Sequence, residues 1–154
     1  MATAQFTVLD LLDLDLKEHN DLGLTCAGGR AGLLRTIATP DLNRPGLALS
    51  GFFDKFGSDR IQIFGRGEHA YLIRLERENK NDTIEQLFER EIPCCIFTHG
   101  LEPTASFVRS AEQSGCPILQ TTLDTSEFVM RLIRALGNVF AARETIHATL
   151  VEVF

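Results

Sequence analysis

Apolar residues recur every three or four positions through Phe128, Val129, Leu132, Ile133, Leu136, Val139 and Phe140, the spacing of one buried helical stripe. With Asp124 and Glu127 as a cap pair at its start, this pattern predicts the longest helix, over about residues 125–142. Shorter stripes predict further helices. Thr7 caps one that begins with Val8, Leu9, Leu11 and Leu12. Residues 67–77 give another, with Ala70, Leu72, Ile73 and Leu75. Asp82 and Glu85 open a third, with Ile84, Leu87 and Phe88 inward. Pro103 opens a fourth, which turns Phe107, Val108 and Ala111 inward and ends at Gly115. In segment 43–53, Pro45 suits a helix's first position, and Leu47, Leu49, Phe52 and Phe53 form its apolar face. Gly51 weakens that helix by about 1 kcal/mol relative to alanine and suggests close packing.

Between these helices lie segments of a different kind. Residues 60–65 alternate apolar and polar up to Gly65, and 92–98 form a continuous apolar run, the mark of a strand buried on both faces. Short strands are predicted at 116–121 and 22–28, with a further one at 33–38. The last segment, 148–154, reads as a strand with no polar tail, a boundary from which the chain is expected to lead straight into something else. Strand and helix alternate through 60–154. That order predicts a single α/β domain, a three-layer sandwich on a mixed, mainly parallel sheet, with antiparallel or edge strands from the first 45 residues.

Composition narrows the function. The chain has 154 residues, 44% hydrophobic and 23% charged, which suits one globular domain. Its net charge is −6, and its 12 Arg and 3 Lys are scattered. Nucleic-acid binding needs a basic face that displaces counterions, so that class is disfavoured. No run of about 18 apolar residues occurs, so no membrane span is expected, and the first residues lack the pattern of a secretory leader. Cys26, Cys94, Cys95 and Cys116 have no CxxC spacing. They read as reduced, buried thiols of a cytoplasmic protein rather than metal ligands.

Candidate chemistry is sparse. GRGEHA at 65–70 has the GxGxxA form of a dinucleotide turn, after a strand and before a helix. Arg66 and Glu68 fill that loop, and the acid expected about 20 residues on falls within a helix rather than at a strand end. A tight strand–helix turn accounts for it. GGRAG at 28–32 reads as a flexible connection, and no GxxxxGK[ST] is present. Of His19, His69, His99 and His147, none forms a local pair with a nucleophile or a second histidine. His99 sits at the end of the buried 92–98 strand, where α/β proteins bind ligands. Gly65, Arg66 and His99 are therefore the candidate ligand-binding residues, and no metal or cofactor is expected in this chain.

Taken in order, the segments NRPGLALSGFF, RIQIFG, HGLEP, CPILQTT and LIRALGNVFAARETIHATLVEVF resemble the N-terminal domain of HPr kinase/phosphorylases, from about Leu9 to Phe154. The resemblance implies a fold similar to the Mur ligase N-terminal domain. It implies a parent enzyme that phosphorylates and dephosphorylates a serine of the phosphocarrier HPr, using ATP and magnesium, within the sugar phosphotransferase system. It implies a homohexameric parent whose catalytic P-loop domain follows the stretch matched here and is absent from this chain. His147 matches a position counted among that family's active-site residues, although the family's His-Gly pair reads His147-Ala148 here. On this reading the chain is a non-catalytic regulatory or assembly domain. A second reading makes it a stand-alone regulatory module for a small ligand such as a nucleotide or sugar phosphate. A third has Arg131, Arg134 and Arg143 present the long helix to another subunit.

Overall fold

The computed structural model describes residues 5–17 and 21–153, with side chains described through Arg143. The elements in chain order are α1 (Val8–Lys17), β1 (Thr25–Gly28), a 3-10 turn (Arg30–Gly32), β2 (Leu42–Asn43), α2 (Gly46–Leu49), β3 (Ile61–Phe64), α3 (Arg66–Arg77), α4 (Asp82–Glu89), β4 (Cys95–Phe97), α5 (Ala105–Ser114), β5 (Ile118–Gln120) and α6 (Thr125–Val153). The five strands order as β1-β5-β4-β3-β2. Strands β2 through β5 run parallel, and β1 is antiparallel to β5. The expected α/β class and mixed, mainly parallel sheet are present.

Alternation along each strand divides the core into two layers. Phe64, Cys95, Phe97 and Ile118 join Leu72 of α3, Ile84 and Leu87 of α4 and Phe107 of α5. Ile61, Ile63, Ile96 and Leu119 join Val8 and Leu11 of α1 and Phe128, Leu132 and Leu136 of α6 on the other side. The three-layer sandwich follows, since each helix group has one apolar stripe to hide. Gln62 breaks the expected half-exposed alternation of β3, being fully buried. Its amide is satisfied there: Asn43 Nδ2 donates to Oε1 at 2.7 Å, and Nε2 donates to the carbonyls of Gly57 and Arg60 at 2.9 and 2.8 Å. A buried amide with three bonds escapes the desolvation cost of an unpaired one.

Several local expectations are corrected. Segment 33–38 is not a sheet strand. Its backbone pairs instead with the chain entering α1, through Val8 N–H to Arg35 O at 3.0 Å and Ile37 N–H to Phe6 O at 2.7 Å, with one bridge at Thr36. Arg35 then donates across the base of the sheet to Ile92 O at 2.8 Å and Ser114 O at 2.5 Å. The helix expected in 43–53 is confined to α2. Phe52 N–H turns back to Leu47 O at 2.9 Å and Gly51 has φ of 105°, so Leu47 and Phe52 are exposed while Ala48 and Leu49 are buried. Nothing lies within 4 Å of a Cβ at Gly51, so backbone conformation rather than close packing explains that glycine. The last predicted strand is helical: α6 runs unbroken to Val153, and Phe154 lies outside the described residues. After Gly137 there is no glycine or proline to stop it, and each further residue adds a backbone bond to a helix already nucleated. The GGRAG segment is not a flexible connection. Gly29 and Gly32 press the 3-10 turn against the carbonyls of Cys116 and Gly115. Cys94, Cys95 and Cys116 are buried, as expected, and the four thiols are free. Burial, reinforced by their neighbours, pushes the Cys94 and Cys95 thiols well up, away from reactive thiolates.

Candidate functional site

The chain leaving β4 passes to α5 on one face of the sheet, and the chain leaving β5 passes to α6 on the other. Such a divergence opens a crevice at the C-terminal ends of the strands in open α/β sheets. Here it is bridged by the chain itself. His99 N–H donates to Leu123 O and Gly100 N–H to Thr121 O, both at 2.8 Å. His99 and Gly100 both hold left-handed backbone, with φ of 57° and 65°. This turn swings the His99 ring over the start of α6, where Nε2 accepts the Thr125 N–H at 3.3 Å. An accepting Nε2 places the ring proton on Nδ1. Beside it, the Thr98 and Thr125 hydroxyls meet at 2.7 Å, and Thr98 Oγ1 also donates to Phe64 O at 3.3 Å.

The next loop completes the edge. Gly65 sits between β3 and α3, and a Cβ there would come within 2.8 Å of Arg44 Nη2 and 2.9 Å of Thr125 Oγ1. A Cβ there would push those two side-chain ends aside. Glu68 lies three residues on, is 8% exposed, and takes the Gly65 N–H at 2.9 Å, one half of a capping box. Arg44, 52% exposed, grips the same carboxylate with two parallel bonds, Nε to Oε2 and Nη2 to Oε1, each 2.8 Å. The chain's own carboxylate thus occupies the α3 N-terminus, where a bound phosphate would sit in a dinucleotide turn.

Burial alone would raise the Glu68 pKa. The Arg44 guanidinium and the backbone N–H groups of Glu68 and Gly65 outweigh it and hold the carboxyl below its usual 4.5. A carboxylate with a depressed folded-state pKa stabilises the fold above the unfolded value, and that contribution is lost as pH falls through the folded value. Glu68→Gln keeps the shape without the charge. The stability advantage of the native chain over Glu68→Gln is therefore expected to shrink as pH falls through the range below the usual 4.5 in urea titrations. An advantage constant across that range would show that the ionised carboxylate is not what Arg44 and Gly65 stabilise.

Gly65 and His99 are brought to one edge and joined through Thr125, while Arg66 is the exposed first residue of α3. The backbone of His147 belongs to α6, and its side chain lies outside the described residues. Sequence reasoning missed Arg44, Thr98 and Thr125, and it read Glu68 only as a loop filler. The Gly65–Glu68 spacing was the available signal, being that of a capping box with glycine at its first position. Among the described residues no three His, Cys, Asp or Glu side chains gather into a metal-binding set, and the edge's buried acid is already held by Arg44. These residues do not fit a magnesium–nucleotide site. No described helix is long and apolar enough to cross a membrane.

Residues 13–136 match the family described as HPr Serine kinase N terminus. The HPr kinase/phosphorylase of Treponema pallidum is 51% identical over 144 residues, which is 94% of this chain and 45% of that protein. The HPr kinase/phosphorylase of Leptospira biflexa is 42% identical over 139 residues, 90% of this chain and 43% of that protein. The chain thus spans less than half the length of these relatives. In fold it is similar to the CBS and DRTGG domains of the regulatory region of a Clostridium perfringens pyrophosphatase, solved with the activator diadenosine tetraphosphate. That likeness has a TM-score of 0.55 at 13% identity, and covers 88% of this chain and 52% of the other.

Proposed function

The chain belongs to the HPr serine kinase N-terminal family, and on that premise we propose that it is the regulatory and assembly domain of a bifunctional HPr serine kinase/phosphorylase. The observation that carries this reading is the share of the relatives it matches: 94% of this chain against 45% of the Treponema pallidum protein. ATP, magnesium and the serine of HPr are handled by the remainder of such a protein, in the cytoplasm, within a homo-oligomer that serves the phosphotransferase system's control of carbon metabolism. His147, just ahead of the last matched segment, is assigned to the site completed by that remainder. The strand-end geometry supports a non-catalytic role, because Glu68 is held by Arg44 and the Gly65 N–H, while Thr98 and His99 are engaged with Thr125. Incubated with HPr, ATP and magnesium, the chain alone is expected to give no phosphoserine by intact-mass spectrometry. Phosphorylated HPr in that reaction overturns the reading.

One observation favours a regulatory ligand at the same edge. Arg66 is exposed beside Gly65 and is not tied to Glu68, whereas Arg44 is. In this role Arg66 meets an anionic ligand, a nucleotide or a sugar phosphate, while Gly65 and His99 shape the turn that presents it. Calorimetric titration with both classes is the test. Binding heat that Arg66→Ala abolishes supports the role, and no heat from either class removes it.

A further inference from the structure

Helix α1 carries leucines on the face it turns away from the core. Val8 and Leu11 are its buried side. Leu9 and Leu16 are 38% and 76% exposed, and Leu12 between them is half-buried. Their i, i+3, i+7 spacing is that of the seam by which one helix packs on another. Leu34 widens the seam at 73% exposure. It lies alongside the first turn of α1, because Val8 N–H donates to Arg35 O and Leu9 N–H to Leu33 O. The acids of α1 divide by task. Asp10 exchanges bonds with Thr7 at the helix start, Thr7 N–H to Oδ2 at 2.8 Å and Asp10 N–H to Thr7 Oγ1 at 3.2 Å. Asp15 takes the Leu22 and Leu24 N–H groups at 2.8 and 3.0 Å. Asp13 stands four positions after Leu9 and three before Leu16, on their face of the helix. Among the described residues it makes no hydrogen bond or ion pair, although the exposed Lys17 is four positions on.

We propose that the Leu9–Leu12–Leu16 seam docks an amphipathic helix of a different protein, one that brings apolar side chains to the leucines and a lysine or arginine to Asp13. Asp10 and Asp15 serve the fold, which leaves Asp13 as the acid of α1 that faces outward. Covering the seam takes water from that carboxylate, and a base on the incoming helix offsets the loss. The α1 of a second copy does not supply one. Its single base, Lys17, follows Leu16 and so stands about 100° round the helix from it. An antiparallel pairing about Leu12 also sets Asp13 near the second copy's Asp13, and like charges oppose it. The Thr7–Asp10 exchange and the Asp15 bonds hold both ends of α1, so the seam is ready-formed. It spans about 10 Å of helix, so the complex belongs with small, transient interfaces. The inference rests on α1 alone and goes beyond the proposed function.

Two synthetic three-heptad peptides test the chemistry. Each has leucine at the a and d positions, and one has lysine, the other glutamate, at e and g, so that like charges keep each from pairing with itself. Fluorescence anisotropy with the chain at up to about 500 µM is expected to show saturable binding of the lysine peptide. The glutamate peptide should bind at least about tenfold more weakly, and Asp13→Lys should reverse that preference. Leu16→Ser should weaken the lysine peptide by at least about fivefold with no change of charge. Glu89→Lys makes the same charge change on α4, in the opposite layer, and should leave binding within about twofold of native. Thermal melts establish that each variant is folded. No binding of the lysine peptide overturns the proposal. So does a loss in Glu89→Lys as large as that in Asp13→Lys, which is attraction to net charge alone, or a Leu16→Ser chain that binds as the native one does. Sedimentation equilibrium is the last arm, and a native dimer that Leu16→Ser dissociates would give the seam to a second copy and overturn the proposal as well.

Discussion

Gly32→Ala is expected to cost at least about 3 kcal/mol of stability, above the ordinary run of single substitutions. A Cβ at Gly32 would stand 1.8 Å from Gly115 O and 2.9 Å from Pro117 Cδ, and a Cβ at Gly29 would stand 1.9 Å from Cys116 O. The obstructing oxygens are backbone, so no flexible side chain can swing aside. Relief requires moving the 3-10 turn off the α5–β5 corner. That corner is where Glu112 accepts the Gly29 N–H at 2.9 Å, where Arg35 holds Ser114 O, and where β1 pairs with β5. Gly29 adds a φ of 66°, a conformation that alanine resists. Thermal melts should place Gly32→Ala roughly 10 °C below the native chain, at about 2–4 °C per kcal/mol for a chain near this size. Gly67→Ala is the control, because nothing lies within 4 Å of its Cβ in α3, and a helical alanine there is neutral to stabilising. A Gly32→Ala melt indistinguishable from the native one would mean that the corner yields freely.

This pair of glycines also shows where sequence reading stops. The inner faces of α4 and α5 were legible because Ile84, Leu87 and Phe88, and Phe107 and Ala111, repeat at helical spacing, and Gly115 ends α5 with the left-handed φ of 70° that its position suggested. Strand β4 was legible as an unbroken apolar run, and it is wholly buried. Family membership was legible from ordered segments rather than from any single motif. The GGRAG glycines misled because the carbonyls they press against lie more than eighty positions along the chain. Arg35 misled for the same reason, since it serves the carbonyls of Ile92 and Ser114, 57 and 79 positions away, and local periodicity carries no record of such a demand. Gln62 misled differently: it is buried by the neighbouring strands, and its amide is satisfied by the carbonyls of Gly57 and Arg60 just before it and by Asn43. The site was half legible. Gly65 and His99 were placed by the ends of their strands, whereas Arg44 reaches Glu68 across 24 positions and Thr125 meets Thr98 only because α6 begins where β4 ends.

Phe107→Ala is expected to be the most damaging core truncation, at about 3–5 kcal/mol. Phe107 is fully buried on α5, with its ring edge-on to Phe64 of β3 at 5.1 Å, to Phe97 of β4 at 5.3 Å and to Phe88 of α4 at 5.0 Å. Phe64 and Phe97 themselves stack at 4.6 Å. Removing the central ring leaves a cavity bordered by three elements, which collapse can fill only by disturbing the Phe64–Phe97 stack. Those two residues are the last of their strands, directly before Gly65 and Thr98. The loss should therefore reach the functional edge as well as the total stability. Amide exchange separates the two effects. In Phe107→Ala the Thr98 N–H, bonded to Phe64 O at 3.1 Å, should lose more protection than the fall in global stability explains. In Gly32→Ala, which unpins the opposite pole, its protection should fall only in step with global stability. Equal behaviour of Thr98 in both variants would show that the aromatic cluster and the strand-end loops do not form one cooperative unit.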